Sequence, residues 1–309
     1  MTELEPNPNP QRTFLQTIFL SPDEPRLRAG WRLLIQTIMF LVLEFCVGIP
    51  LGLLAYIPGV HLSDGLFLAL NEVIELIAVT ASVFLARRFL DKRSISSLGL
   101  KLDKWTVIDI FSGIVITFFM MGFIYLIQWS LGWLTFDGFA WETDPVLTVL
   151  GGTLGMFAVF IVVGWNEELL SRGYHLQTIA SGLNLFWGVL LSSIIFGLLH
   201  LGNPNAIWTS AVGIFFAGLF LAYGYVSTKQ LWLPIGLHLG WNFFEGVVFG
   251  FPVSGLNIYH LTRITVSGPE LWTGGPFGPE AGLVVLPGLL LGAGLIFVYA
   301  RYIRESNSN

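Results

Sequence analysis

Residues 164–174 read GWNEELLSRGY, and they directly follow the uncharged run VLTVLGGTLGMFAVFIVV. An ionised side chain at the centre of a membrane helix costs about 2.5–3.5 kcal/mol on insertion scales. Glu167, Glu168 and Arg172 therefore need a partner, a cavity or water if the run crosses a bilayer. Working outward from this stretch, the rest of the chain says that it does.

Of the 309 residues, 54% are hydrophobic and only 11% are charged, where soluble domains carry about a quarter charged residues. With a mean hydropathy of +0.73, the chain reads as an integral membrane protein, all-α and polytopic, without a segment polar enough to form a soluble domain. Its partners on this reading are the lipid bilayer and a membrane-associated molecule, and not nucleic acid. The single cysteine, Cys46, excludes an intrachain disulfide and a thiolate metal site. The first 30 residues lack the basic start, apolar core and small-residue cleavage site of a signal peptide, and the run TFLQTIFL within them is short enough to lie at the interface.

A spanning helix needs roughly 20 mostly apolar residues. By that measure about eight spans are expected, near 31–57, 66–88, 106–132, 147–175, 184–201, 206–226, 231–250 and 281–303. Continuous apolar runs without period-two alternation favour helices over a barrel. Basic residues cluster in the N-terminal tail, in the connection holding Arg87, Arg88, Lys92, Arg93, Lys101 and Lys104, and at Arg301 and Arg304, whereas 58–65 and 133–146 have none. Both termini are expected to be cytoplasmic. The segment 251–280, rich in Gly and Pro, is expected to be an irregular outer loop with a lone Arg263. Trp31, Trp105, Trp133 and Trp232 fall near span ends, as interfacial anchors do.

The ionisable and amide groups inside these spans are the informative ones. Glu168 and Arg172 are four residues apart and meet on one helix face, where pairing offsets part of the burial cost. Glu167 points about 100° away and has no local cation. His238 and Asn242, also four apart, project together from the seventh span, and His200 closes the fifth. Glu, His, His and Asn on three helices are the parts for activating a water and stabilising an oxyanion. The same Glu167, His200 and His238 could instead hold a divalent metal such as zinc. The spacing leaves both open, although no HExxH signature occurs. Glu44, Glu72 and Glu75 lie in the first two spans; the last two share a face and border the site or serve structure. Glu245 is expected beside His238, and His61, His175 and His260 in or near loops at the surface.

EELLSRG (Glu167–Gly173), FGLLH (Phe196–His200) and HLGWN (His238–Asn242), in that order on successive helices, resemble the CPBP (CAAX protease and bacteriocin-processing, or Abi) family of intramembrane endopeptidases. RSISSLGLK, residues 93–101, is similar to a segment that often precedes the family core. The resemblance covers roughly residues 145–250. It implies an eight-helix protease, glutamate-type or metal-dependent, acting on a membrane-associated protein or peptide, which in eukaryotic members is a prenylated CAAX C-terminus. Glu167 would then be the base on water with His200 assisting, Glu168 and Arg172 would support the site, and His238 and Asn242 would stabilise the oxyanion, or His238 would ligate a metal.

The chain is thus expected to divide into a tail (1–30), N-terminal helices (31–132), a catalytic core (145–250), an extracytoplasmic loop (251–280), and a last helix with its tail (281–309), in a bacterial inner membrane. A non-catalytic immunity or scaffold protein of the same fold is the competing expectation, and a proton-coupled transporter is a third.

Overall fold

The computed structural model describes residues 13–54, 57, 59 and 62–304. Residues 58, 60 and 61 (His61) of the connection 58–65, the first twelve residues of the tail and the last five residues of the chain lie outside the described residues.

The apolar runs fold as helices because no other open structure satisfies backbone polar groups in hydrocarbon. In chain order they are α1 (Phe14–Phe19), α2 (Ala29–Leu54), α3 (Asp64–Leu85), α4 (Lys104–Ser130), α5 (Val146–Glu168), α6 (Leu176–Gly182), α7 (Leu185–Leu199), α8 (Trp208–Thr228), α9 (Trp232–Asn242), α10 (Glu270–Thr273) and α11 (Val285–Val298). Wider π-helical turns extend α3, α9 and α11 and join α5 to α6. Seven of the resulting helices are long and apolar enough to cross a membrane. Side chains such as Leu147, Val107 and Phe45 are among the most exposed, as on a surface that meets lipid rather than water.

The expected seventh span is the exception. Helix α9 has 11 residues and its π-helical extension Phe243–Val248 adds 6, so it falls short of the usual spanning length. It can be short because it is enclosed: Leu233 to Asn242 are all buried. Its closest neighbour is α4, where a Cβ on Gly236 would strike the backbone of Ile110, one on Gly240 would meet Thr117 and Ile114, and one on Gly113 would strike Gly236 and Leu237. Small residues four apart let the two backbones touch, which is how membrane helices associate without a hydrophobic driving force between them. On its other side α9 meets α5, with Gly164 against the Ile235 carbonyl.

Helices α5 and α6 with their joining turn form one helix of 37 residues, Val146–Gly182, about 55 Å at 1.5 Å per residue and longer than a bilayer core of about 30 Å. This length resolves a mismatch of depth. The sequence places Glu167 near mid-membrane and His200 near the outer surface. The sequence favours displaced boundaries of the fifth span over a long fourth helix as the reason; α7 instead ends at Leu199, close to the expected bound, and it is the long helix Val146–Gly182 that accounts for His200 meeting Glu167. For the same reason His175 is not at a surface: it is buried in the π-helical turn Leu169–His175.

The end of the bundle at which α2 begins is tied by charge. Asp91 accepts from Arg32 and from Arg87 (3.1 Å), with Arg26 3.8 Å away, and Arg32 also reaches Ser181 of α6. At the opposite end the loop 251–280 is more ordered than its composition suggests. Within it Thr262–Val266 (β2) pairs antiparallel with Leu134–Phe139 (β1), with a bulge between Phe136 and Gly138. The β-branched run TRITV carries the strand signal, and Arg263 bonds Thr143 and Asp144 in the loop after β1.

Candidate active site

Glu167 and Glu168 close α5, and the backbone then widens into the π-helical turn Leu169–His175; such turns are frequent at functional sites. The two carboxylates diverge as helical geometry requires. Glu168, fully buried, accepts a hydrogen bond from Arg172 Nη1 at 2.7 Å. The Arg172 guanidinium also donates to the Gly218 carbonyl of α8 at 3.0 Å and lies 4.3 Å from the centre of the Phe196 ring. A buried pair is tolerated when further hydrogen bonds satisfy its remaining groups, and here the carbonyl and the aromatic face do so for the arginine.

The same Glu168 Oε1 accepts from His238 Nδ1 at 2.8 Å. His238 is held with Nε2 facing the other way, 3.8 Å from Glu167 Oε2. From α7, His200 donates from Nδ1 to the Phe196 carbonyl at 2.8 Å and turns its Nε2 to within 3.6 Å of the same Glu167 oxygen. Both imidazoles therefore have one nitrogen anchored and the other directed at Glu167, whose side chain is 26% exposed, against 13% and 8% for His200 and His238.

These groups line a cavity of about 330 Å³ together with Asn242, Glu72 and Glu75. The sequence left Glu72 and Glu75 between bordering the site and a structural role; they line the cavity, and Asn166 donates to the Glu72 carbonyl and carboxylate at 3.2 and 3.4 Å. All six candidate residues are thus gathered: Glu167, His200, His238 and Asn242 on the cavity wall, with Glu168 and Arg172 behind His238. Glu167, His200 and His238 are also the residues read from the sequence as a metal set. Among the described residues, however, no group of three or more His, Cys, Asp or Glu side chains is arranged to hold a metal ion.

Glu280 was missed. It lies in the turn before α11, at the very edge of the predicted last span, and lines the cavity. Its carboxylate accepts from Trp241 Nε1 (3.0 Å) and from the backbone N and Oγ of Ser254 (2.7 Å each). Burial pushes its carboxyl above the ordinary range, opposed by those hydrogen bonds. An acid at a span edge after a loop of few charges was the available signal. Glu245, expected beside His238, instead approaches the Glu280 side, with Oε1 next to Gly278. His260 is not a free surface group either, since its ring nitrogens bond Gly246 O and Asn257 Oδ1.

The sequence model of the family described as type II CAAX prenyl endopeptidase Rce1-like matches residues 147–244, the segment from the start of α5 to the end of α9 that supplies Glu167, His200, His238 and Asn242. Over this segment, about a third of its length, the chain is similar to the CAAX protease family. A Bacillus subtilis (strain 168) protein described as "Putative membrane peptidase YdiL" is 27% identical over 225 residues, 69% of this chain and 87% of its own. This match, with seven helices long and apolar enough to cross a membrane among the described residues, supports a multi-pass membrane protein of protease type.

Proposed function

We propose that the protein is an endopeptidase that hydrolyses a peptide bond of a membrane-associated substrate with a water activated by Glu167. The observation that carries this is the convergence of Glu167 Oε2 with the Nε2 atoms of His200 and His238 at 3.6 and 3.8 Å. Those separations are too long for direct hydrogen bonds and suit a water held between the groups.

Glu167 takes a proton from the water while His200 Nε2 accepts its other hydrogen and fixes its direction. The water oxygen adds to the substrate carbonyl carbon, and the oxyanion that forms receives hydrogen bonds from Asn242 Nδ2 and from a protonated His238 Nε2. Glu168, bonded to His238 Nδ1, supports that imidazolium, and Arg172 fixes Glu168. When the C–N bond breaks, Glu167 returns its proton to the leaving amine, giving a carboxylic acid and an amine, and the acid's proton then passes to the amine to leave a carboxylate and an ammonium.

The clustering of Lys and Arg at the end where α2 begins supports cytoplasmic termini and a bacterial inner membrane as the setting, with the cavity opening toward the extracytoplasmic loop. The substrate class extends to prenylated CAAX C-termini. Purified protein in liposomes, given quenched peptides with and without a C-terminal prenylcysteine, tests the reading. Cleavage by wild type but not by Glu167→Gln supports it. Activity that disappears on chelation and returns with zinc would assign Glu167, His200 and His238 to an ion instead. Absence of cleavage would favour the immunity or scaffold alternative.

A further inference from the structure

A second cavity, of about 560 Å³, lies at the loop end of the bundle, walled on one side by β2 and on the other by the turn containing Pro276 and Pro279. Among the described residues strand β2 has a single partner, β1. Ser267 N donates to the Trp133 carbonyl, and Ala140 N to the Leu261 carbonyl. Pairing in an antiparallel ladder alternates, with every second residue bonding its neighbour. Residues 263, 265 and 267 therefore spend their backbone groups on the β1 side, as Leu261 does its carbonyl, its N–H going to the Val247 carbonyl. Those of Thr262, Ile264 and Val266 point the other way, and all three residues line the cavity.

A row of outward peptide N–H and C=O groups is matched along its length only by another extended backbone. On the far wall Pro276 and Pro279 have no N–H to offer this edge. Gly250, at φ +81°, stands directly against the Thr262 carbonyl, where a side chain would run into the strand. The groove also abuts the catalytic cavity. Pro252 lines the first and Val253 the second, and likewise Pro279 and Glu280, so two chain segments form a shared wall.

We propose that this groove is a substrate-docking site in which an extended polypeptide segment adds as a third strand to β2, leading the chain toward Glu167. The occupant's identity as substrate rests on the peptidase reading above; strand addition itself does not. Because Gly250 stands against the Thr262 carbonyl, the open edge is that of Ile264 to Val266, about 7 Å long at 3.4 Å per residue.

The test is binding of a dansyl-labelled, uncharged Thr-Val-Thr-Val-Thr amide to the full-length Glu167→Gln protein in nanodiscs, followed by fluorescence. A series of the same peptide N-methylated at one position at a time removes one donor in each. Saturable binding that weakens about tenfold for methylation at alternate positions and is unchanged at the others is expected, since only every second N–H faces the edge. Ile264→Pro, which deletes an outward donor and none toward β1, should weaken the parent peptide by a similar factor. No saturable binding, or a methylation response without alternation, overturns the proposal, and the peptide series does so without relying on the variant's folding. The alternating pattern without cleavage in the liposome assay would retain the groove and remove the peptidase reading; cleavage without the pattern would do the reverse.

Discussion

Glu168 Oε1 is shared: Arg172 Nη1 donates to it from 2.7 Å and His238 Nδ1 from 2.8 Å. One buried oxygen thereby links the arginine of the π-helical turn to the imidazole of α9, and so links the two helices on which the proposed chemistry depends. Glu167, one residue earlier, is left free of both cations' hydrogen bonds and faces the cavity.

Glu167→Gln is expected to reduce turnover by about 10²–10⁴-fold, the usual contribution of a general base, while leaving thermal unfolding in detergent near wild type. Glutamine keeps the shape but cannot accept the proton of water. Retained cleavage with a normal rate would remove Glu167 from the base role.

Arg172→Met should be far more damaging to stability than most membrane-helix substitutions. It leaves Glu168 as an uncompensated buried charge and the Gly218 carbonyl without its donor, and breaking one side of a buried pair costs about 3–5 kcal/mol. Adding Glu168→Leu to that variant should recover part of the loss without restoring cleavage, because His238 then has no acceptor at Nδ1. Unfolding free energies of the two single variants and the double, measured by denaturant titration, check this; simple additivity would contradict the coupling.

The sequence made this pair legible because four-residue spacing is a local property of a helix, and the same holds for His238 with Asn242. Hydropathy likewise exposed the spans and their helical class. The contact between His238 and Glu168 spans 70 positions and has no local signature, so the resemblance of motifs, rather than spacing, was what joined them. Strand β2 was hidden because five β-branched and polar residues amid Gly and Pro are outweighed by loop composition. The short α9 was read as an ordinary span since hydropathy cannot distinguish a helix facing lipid from one enclosed by helices. Glu280 lay one residue outside a predicted boundary, where an acid looks like a solvated loop charge.

Glu280→Ala is expected to deprive Trp241 Nε1 and Ser254 N of their acceptor. Leaving buried donors unpaired costs about 1–3 kcal/mol each, and the wall between α9 and residues 250–254 should loosen. Because Glu280 supports that wall without touching Glu167 directly, KM should rise more than kcat falls in the peptide assay. A kcat loss comparable to that of Glu167→Gln with unchanged KM would instead place Glu280 in the chemistry.

Gly236→Ala and Gly240→Ala should each destabilise the protein although alanine is the better helix former by about 1 kcal/mol. At Gly236 the added methyl meets the backbone of Ile110, and at Gly240 it meets Thr117 and the Ile114 backbone; backbone does not yield as a flexible side chain does, and forced overpacking costs about 1–3 kcal/mol or more. Gly294→Ala provides the contrast, since nothing lies within 4 Å of its added Cβ in α11, and it should be neutral or slightly stabilising. The consequence for function follows from His238 lying between the two glycines. If α9 is pushed away from α4, Nε2 moves relative to Glu167, and cleavage should fall in the Gly236 and Gly240 variants even at temperatures where they remain folded. Unfolding temperature and turnover measured side by side for the three variants decide it: equal behaviour of all three would mean that the close crossing of α4 and α9 does not set the site.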